Sequence, residues 1–200
     1  HTGLFPEQAY NWQLIAEKIK NAHRHVKVLN LFAYTGAASM AAIKAGAEVV
    51  HVDSSRGMVD WAKENVNASH LQDKPIRFIV DDVVKFVKRE IRRGNKYDII
   101  LMDPPSFGRG SNGEVWDIEK DLFNLVNLCT ELLSDEPLLF LINSYTTGLS
   151  QTVLTNILSL TINQKYPGKI SSDELGLPMK DSSLILPCGL YARWEPTDNK

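Results

Sequence analysis

Five short apolar runs along the first three quarters of the chain each carry a polar residue at or beside their end. The runs are residues 26–31, 48–52, 77–80, 97–102 and 138–142, and the polar residues are Asn30, Asp53, Asp82, Asp103 and Asn143. Each run is rich in Val, Ile and Leu with little alternation, the pattern of a strand buried on both faces. A helix-length segment follows each one. That order predicts a doubly wound, mostly parallel sheet with helices on both faces, and such sheets bind ligands beyond the carboxyl ends of their strands. The five polar residues are therefore expected around one crevice.

The intervening segments read as helices. Residues 6–22 carry Pro6 in the first turn and Trp12, Ile15, Ala16 and Ile19 on one face. Helices are predicted over residues 36–45, 55–67, 83–93, 119–133 and 150–162, the third stopping at Gly94. Residues 169–175 and 190–194 are expected to form an antiparallel pair at the sheet edge. Gly176, Pro178, Pro187 and Gly189 punctuate the loop between them. The stretch from Pro104 to Gly113 has no periodicity. It starts with two prolines and then turns glycine-rich, which predicts a stiff platform followed by a mobile flap.

Two hundred residues suffice for one domain with a sizeable core. The net charge of -2 gives no basic field to grip a long nucleic acid unaided. Two cysteines without metal spacing indicate a reducing compartment and no disulfide framework. No apolar run approaches the roughly 18 residues of a membrane span, so a soluble, cytoplasmic protein is expected. The chain opens on His1 rather than Met, so an upstream piece is expected too. The five histidines form no metal pattern: His23 and His25 are expected to face solvent, His51 lies inside the second run, and His1 and His70 have no partner by spacing.

The turn after the first run occupies the position of a nucleotide-binding loop. Residues Asn30, Phe32, Ala33, Tyr34, Thr35 and Gly36 include one glycine and two bulky aromatics, whereas a dinucleotide site needs G-x-G-x-x-G to bring backbone against a pyrophosphate. A ligand without phosphates fits better, and S-adenosylmethionine (SAM) is one. Gly36 would let its amino-acid end approach the backbone. Asp53, with Ser54 beside it, closes the second run at the spacing where an acid meets ribose hydroxyls, and it can also cap the helix that follows. Asp82 could accept from an adenine amino group with Val83 packed on the ring, or could simply cap its own helix.

These residues, and above all Asp103-Pro104-Pro105-Ser106-Phe107, resemble the class I SAM-dependent methyltransferases. The similarity is greatest to the bacterial 23S ribosomal RNA methyltransferase group with a D-P-P-x-F motif. Residues 2–8, Thr-Gly-Leu-Phe-Pro-Glu-Gln, resemble that group's T-G-[FY]-[FY]-L-D-Q-R segment, which lies over the cofactor. The resemblance implies a Rossmann-like fold with a mostly parallel seven-stranded sheet and an antiparallel edge strand. It implies that residues 1–200 are a catalytic domain lacking an upstream RNA-binding module. It gives Phe5 and Gln8 the role of enclosing SAM, Phe32, Tyr34 and Gly36 that of lining it, Asp53 the ribose and Asp82 the adenine. Asp103, Pro104, Pro105 and Phe107 would face the methyl group and the acceptor. The chemistry agrees, because a sulfonium is already a good leaving group and methyl transfer needs mainly alignment and desolvation. Phe107 could stack on a flat acceptor or merely anchor the flap.

Two departures refine the expectation. Family members that make 5-methylcytosine carry a nucleophilic cysteine after the fifth strand, whereas residues 143–148 here hold none. An already nucleophilic atom, such as a base nitrogen, is the expected acceptor. Cys129 reads as a core residue, and Cys188, before the last strand, is a weaker alternative nucleophile. The segment after Phe5 reads Pro6-Glu7-Gln8-Ala9, without the usual arginine. A ribosomal RNA base is thus the leading acceptor, with a small molecule or protein side chain as the alternative. The cluster Lys85, Lys88, Arg89, Arg92 and Arg93 reads as a solvated helix face or a phosphate contact, and Arg109 as a contact to an anionic substrate. A nicotinamide oxidoreductase fails on the missing glycine pattern, and a non-catalytic SAM-binding module fits poorly with an intact Asp103–Phe107 motif.

Overall fold

The computed structural model describes residues 2–110 and 113–197. In chain order the strands are β1 (Lys27–Leu31), β2 (Glu48–Asp53), β3 (Ile76–Val80), β4 (Ile99–Met102), β5 (Phe107–Arg109), β6 (Val115–Asp117), β7 (Leu139–Ser144), β8 (Gly168–Pro178) and β9 (Ile185–Pro196). The helices are α1 (Ala9–Asn21), α2 (Ala37–Lys44), α3 (Arg56–Ala68), α4 (Val83–Arg93), α5 (Ile118–Cys129), α6 (Gln151–Leu160) and the short α7 (Ile162–Lys165). Seven strands form one sheet in the order β3-β2-β1-β4-β7-β9-β8. The five predicted strands are parallel, and β9 runs antiparallel between β7 and the edge strand β8. The chain winds outward from β1 to β3 and then returns to β4, so the order reverses between β1 and β4, where such sheets open a crevice.

The central strands β1, β2, β4 and β7 send alternate residues to two cores, which is why their sequences are mostly apolar. Leu29, Val50, Ile100, Phe140 and Ile142 meet α4, α5 and α6 through Phe86, Leu125, Val126 and Leu154. Val28, Val49, Ile99, Leu101 and Leu141 meet α1 and α2 through Ile15, Ile19, Ala42 and Ile43. Three of the helices that follow strands begin at side-chain caps on the crevice side: Ser55 for α3, Asp82 for α4 and Ser150 for α6. α4 spans the predicted residues and stops at Gly94, which takes φ +69°.

Three expectations change. The first turn of the N-terminal helix is a 3-10 turn, Pro6–Gln8, before α1. The tail pair is much longer than predicted, and Gly176, Pro178, Pro187 and Gly189 lie inside its strands, with a register shift at Leu175/Gly176. Proline is tolerated there because β8 is an edge strand and β7 reaches β9 only from Leu190 onward. The stretch after Pro105 is a β5–β6 ribbon rather than an aperiodic flap. Ser111 and Asn112 at its tip, like His1, lie outside the described residues.

Candidate functional site

The turn between β1 and α2 is contorted. Phe32, Tyr34 and Gly36 all take positive φ, at +54°, +52° and +91°. Only glycine adopts such angles without strain, so two non-glycine residues must be held there by their surroundings. At Gly36 a Cβ would also lie 3.2 Å from the Ala62 side chain. Ala33 N–H donates to the Val52 carbonyl at 3.0 Å, and the Asn65 amide donates to the Thr35 carbonyl at 2.9 Å. Asp53 completes the clamp. One carboxylate oxygen accepts from Tyr34 N–H at 3.0 Å and the other from Ser55 N–H at 2.9 Å. Ser55, not Asp53, caps α3, so the Asp53 carboxylate keeps lone pairs facing the crevice. Burial pushes its pKa up, against the pull of the two N–H groups. The first N–H groups of α2 have no side-chain cap and offer donors at the same turn.

The N-terminal segment closes one wall. Thr35 Oγ1 donates to the Gly3 carbonyl at 2.5 Å, and Gly3 N–H donates to the Tyr34 hydroxyl at 3.3 Å. Phe5 sits between Tyr34 and Tyr145, with both ring centroids 5.8 Å away. Beneath it runs a chain of polar contacts. The Tyr145 hydroxyl donates to Glu7 at 3.0 Å and accepts from Gln8 at 2.9 Å, and the Asn11 amide donates to Gln8 and to Asn143, each at 3.0 Å. Asn11 is 1% exposed, and its Oδ1 has no partner. Asp103, at the end of β4, faces this wall. Burial, and after it the negative charge of Glu7, raise its pKa to about 7.

Two adjoining cavities result. A narrow one of about 70 Å³ lies under the turn, lined by Gln8, Asn11, Asn30, Gly36, Ala37 and Asn143 among others. An open one of about 680 Å³ is lined by Asp53, Ser54, Met58, Pro104, Pro105 and Thr146 among others. Phe5, Phe32, Tyr34 and Asp103 border both. Among the described residues no Lys, Arg or His lines either cavity, so these residues present carboxylates, amides and aromatic faces to the crevice.

The Pro104-Pro105 platform is tied down. Trp116 on β6 donates its indole N–H to the Pro105 carbonyl at 2.7 Å and packs on Phe32 at 5.1 Å. Ser106 and Thr146 share a hydroxyl hydrogen bond at 2.7 Å. Of the residues singled out from sequence, Phe5, Gln8, Asn30, Phe32, Ala33, Tyr34, Thr35, Gly36, Asp53, Ser54, Asp103, Pro104 and Pro105 line the cavities. Phe107 does not: it is 56% exposed on β5, with the Arg109 guanidinium 6.0 Å from its ring. Asp82 and Val83 line neither cavity. Asp82 accepts from Lys85 N–H at 2.9 Å as the α4 cap, and Val83 is in the core.

Sequence reasoning missed Asn11, Tyr145 and Trp116 and gave Glu7 no role. Asn11 was discoverable, since it shares the buried stripe of α1 with Ile15 and Ile19. Within the basic cluster Lys85, Arg89 and Arg93 pair with Glu114, Asp81 and Glu90, as on a solvated face. Cys129 is fully buried, and burial pushes its thiol up. Cys188 borders a small separate cavity beside Tyr145 and Thr146. Among the described residues no cluster of His, Cys, Asp and Glu could hold a metal ion.

Comparison with known proteins gives concordant findings. The model of a family described as S-adenosylmethionine-dependent methyltransferase matches residues 1–156. A ribosomal RNA large subunit methyltransferase K/L of Shewanella sp. (strain MR-4) is 35% identical over 136 residues, 66% of this chain and 18% of that one. The protein of the same name from Pseudoalteromonas atlantica is 39% identical over 122 residues, 60% of this chain and 16% of that one. The chain thus spans under a fifth of the length of these relatives. The crystal structure of a SAM-dependent methyltransferase from Agrobacterium tumefaciens superposes with a TM-score of 0.95 at 42% identity, covering 98% of this chain and 64% of that one.

Proposed function

Because the chain belongs to the family of S-adenosylmethionine-dependent methyltransferases, we propose that it is the catalytic domain of a cytoplasmic enzyme that transfers the methyl group of SAM to an already nucleophilic atom of a large-subunit ribosomal RNA base. The observation that carries the cofactor reading is the charge of the crevice. Asp53, Asp103 and the nearby Glu7 face it, and among the described residues no Lys, Arg or His lines it. Such a site repels the phosphates of a nicotinamide or nucleotide cofactor and attracts a ligand with a sulfonium and an ammonium group.

The residues divide the work as follows. Asp53 accepts from the ribose hydroxyls while its backbone bonds hold it still. The uncapped N–H groups of α2 at Gly36–Ala37 receive the amino-acid carboxylate. Phe5 and Gln8 cover the ligand. SAM supplies the electrophilic methyl group. Asp103 and the Pro104-Pro105 platform would hold the lone pair of the acceptor toward the methyl group that SAM would supply. An aligned pair in a dry site gains most of what such a transfer needs. With no cysteine in residues 143–148, a ring carbon has no adjacent nucleophile to activate it. The names of the relatives support ribosomal RNA as acceptor. The overall charge of -2 and the internally paired cations of α4 favour a second reading, a small molecule or protein side chain.

The test offers the full-length protein and methyl-labelled SAM to under-modified ribosomal RNA, total protein and a metabolite extract. Label in one RNA nucleoside is the expected outcome. Label only in protein or metabolites refutes the RNA acceptor, and no transfer or binding at all refutes the SAM reading.

A further inference from the structure

The β5–β6 ribbon has two faces, and one of them packs against the fold. Side chains alternate across a strand, so Gly108 and Trp116, which stand opposite each other, share one face, and Phe107, Arg109, Val115 and Asp117 share the other. The inner face is filled. Trp116 is 8% exposed, lies on Phe32 and donates its indole N–H to the Pro105 carbonyl. A Cβ on Gly108 would sit 3.6 Å from the Pro105 ring. The outer face is bare: Phe107 is 56% and Val115 58% exposed, and Arg109 is exposed as well.

A lone apolar residue on a surface needs no explanation, but this grouping does. Two apolar side chains and a guanidinium share one side of a ribbon that begins next to Ser106, on the rim of the open cavity. The Arg109 guanidinium lies 6.0 Å from the Phe107 ring. Among the described residues Arg109 makes no ion pair, whereas Lys85, Arg89 and Arg93 on α4 each do. The acid on this face, Asp117, is 2.9 Å from Lys120 and caps α5. The strip thus offers a flat π-face at the mouth of the crevice, with a positive charge two residues, about 7 Å, further along the strand.

We propose that this outer face holds an unpaired nucleotide next to the base being methylated: Phe107 stacks on its base and Arg109 meets its phosphate. Charge and shape name the occupant, since an aromatic face accepts any base and a guanidinium beside it suits a phosphate. Phe107 lines neither cavity, so its partner is a neighbour of the reacting base and not that base itself. The bond from Trp116 to Pro105 ties the strip to the acceptor platform, so holding the neighbour also registers the target. The inference rests on the RNA acceptor proposed above and adds which part of that RNA the ribbon holds.

The test uses the full-length protein, methyl-labelled SAM and under-modified ribosomal RNA. Phe107→Leu should raise the KM for RNA about tenfold with kcat little changed, and Phe107→Trp should return it to within about threefold of wild type. Arg109→Gln should raise KM about fivefold. It should also make the fall of log(kcat/KM) with log salt shallower by about 0.7, the share of one phosphate contact on a single strand. SAM affinity by calorimetry, the check that each variant is folded, should stay within about twofold of wild type. Wild-type KM in Phe107→Leu and Arg109→Gln, a loss confined to kcat, no rescue by Trp, or an unchanged salt slope would each overturn the proposal. Transfer to protein instead of RNA, with KM for that protein raised by the same variants, would assign the strip to a polypeptide and overturn it too. If the wild type labels no RNA, the acceptor reading falls and this proposal with it; if it labels RNA and the variants match it, this proposal falls alone.

Discussion

Asp103 offers the sharpest quantitative consequence of a crevice lined by carboxylates. Burial first, and the Glu7 carboxylate second, lift its pKa to about 7, so near neutrality the empty protein is an even mixture of protonated and ionised forms. A cationic ligand favours the ionised form. Below pH 7 binding must first expel a proton, so affinity rises about tenfold per pH unit; above 7 it levels off. Between pH 5.5 and 8.5 the factor is 1 + 10^1.5 against nearly 1, or about thirtyfold. The amino group of SAM titrates near the upper end of this range, so the quantity to measure is the ratio of wild-type to Asp103→Asn affinity, in which the ligand's own protonation cancels. Calorimetry in two buffers of different ionisation enthalpy should also count about half a proton released per SAM at pH 7. The same substitution should stabilise the empty protein. The native carboxyl holds a proton that the unfolded chain gives up at about pH 4, so this group's contribution to stability falls from about pH 4 to 7 and then stays low. Removing the charge should return up to about 4 kcal/mol at pH 8 and little at pH 4, as read by denaturant unfolding. An affinity ratio that is flat from pH 5.5 to 8.5, with no proton release, would refute the reasoning.

Three further consequences are open to direct measurement. Gly36→Ala should cost about 1–3 kcal/mol in chemical denaturation, because φ +91° is strained for alanine and the new methyl would lie 3.2 Å from the Ala62 side chain; SAM affinity should fall with it. Trp116→Phe keeps a ring against Phe32 but removes the 2.7 Å bond to the Pro105 carbonyl. Single-turnover methyl transfer should slow about tenfold with SAM affinity unchanged, since the acceptor platform loosens and the cofactor turn does not. Asp98→Ala removes the carboxylate that accepts from Arg24, Lys27 N–H and Ser134 at the far end of the sheet. Unfolding free energy should drop about 1.5–3 kcal/mol while SAM affinity in the folded protein is unchanged.

Most of the sheet was legible because a strand buried on both faces has a one-letter pattern, a run of Val, Ile and Leu. Where a run mixed roles, the boundary slipped. Tyr97 and Asp98 extend the fourth run in sequence but leave the ladder, Tyr97 for a bridge to Leu133 and a bond to Glu90, Asp98 for its three donors. The β5–β6 ribbon was hidden because three-residue strands have no periodicity to detect. The long tail hairpin was hidden because proline and glycine read as breaks, although an edge strand and the free end of β9 accept both. In the site, strand ends announced Asn30, Asp53, Asp103 and Asn143. Asp82 is at a strand end too, but one of its oxygens caps α4 and it lines neither cavity, while for α3 a serine two residues beyond Asp53 does the capping and Asp53 lines the open cavity. A single sequence does not separate those two cases, because both read as an acid before a helix.

The features that make the crevice expensive when empty are the ones that would discriminate substrate from product. The buried Asp103 beside Glu7, and Phe32 and Tyr34 held at positive φ, each oppose folding. Two cores that fill both faces of the sheet supply the margin that tolerates them. Methyl transfer removes one positive charge from the cofactor, since the sulfonium becomes a thioether. An ionised Asp103 gains from the cation before transfer and loses that gain after it, and its raised pKa lets it recover a proton once the charge has gone. The demethylated cofactor then leaves a site whose charge no longer suits it. The preference for SAM over its product therefore narrows as pH falls through about 7, and in Asp103→Asn it is smaller and loses that pH dependence, because a neutral amide at this position does not register the change of charge.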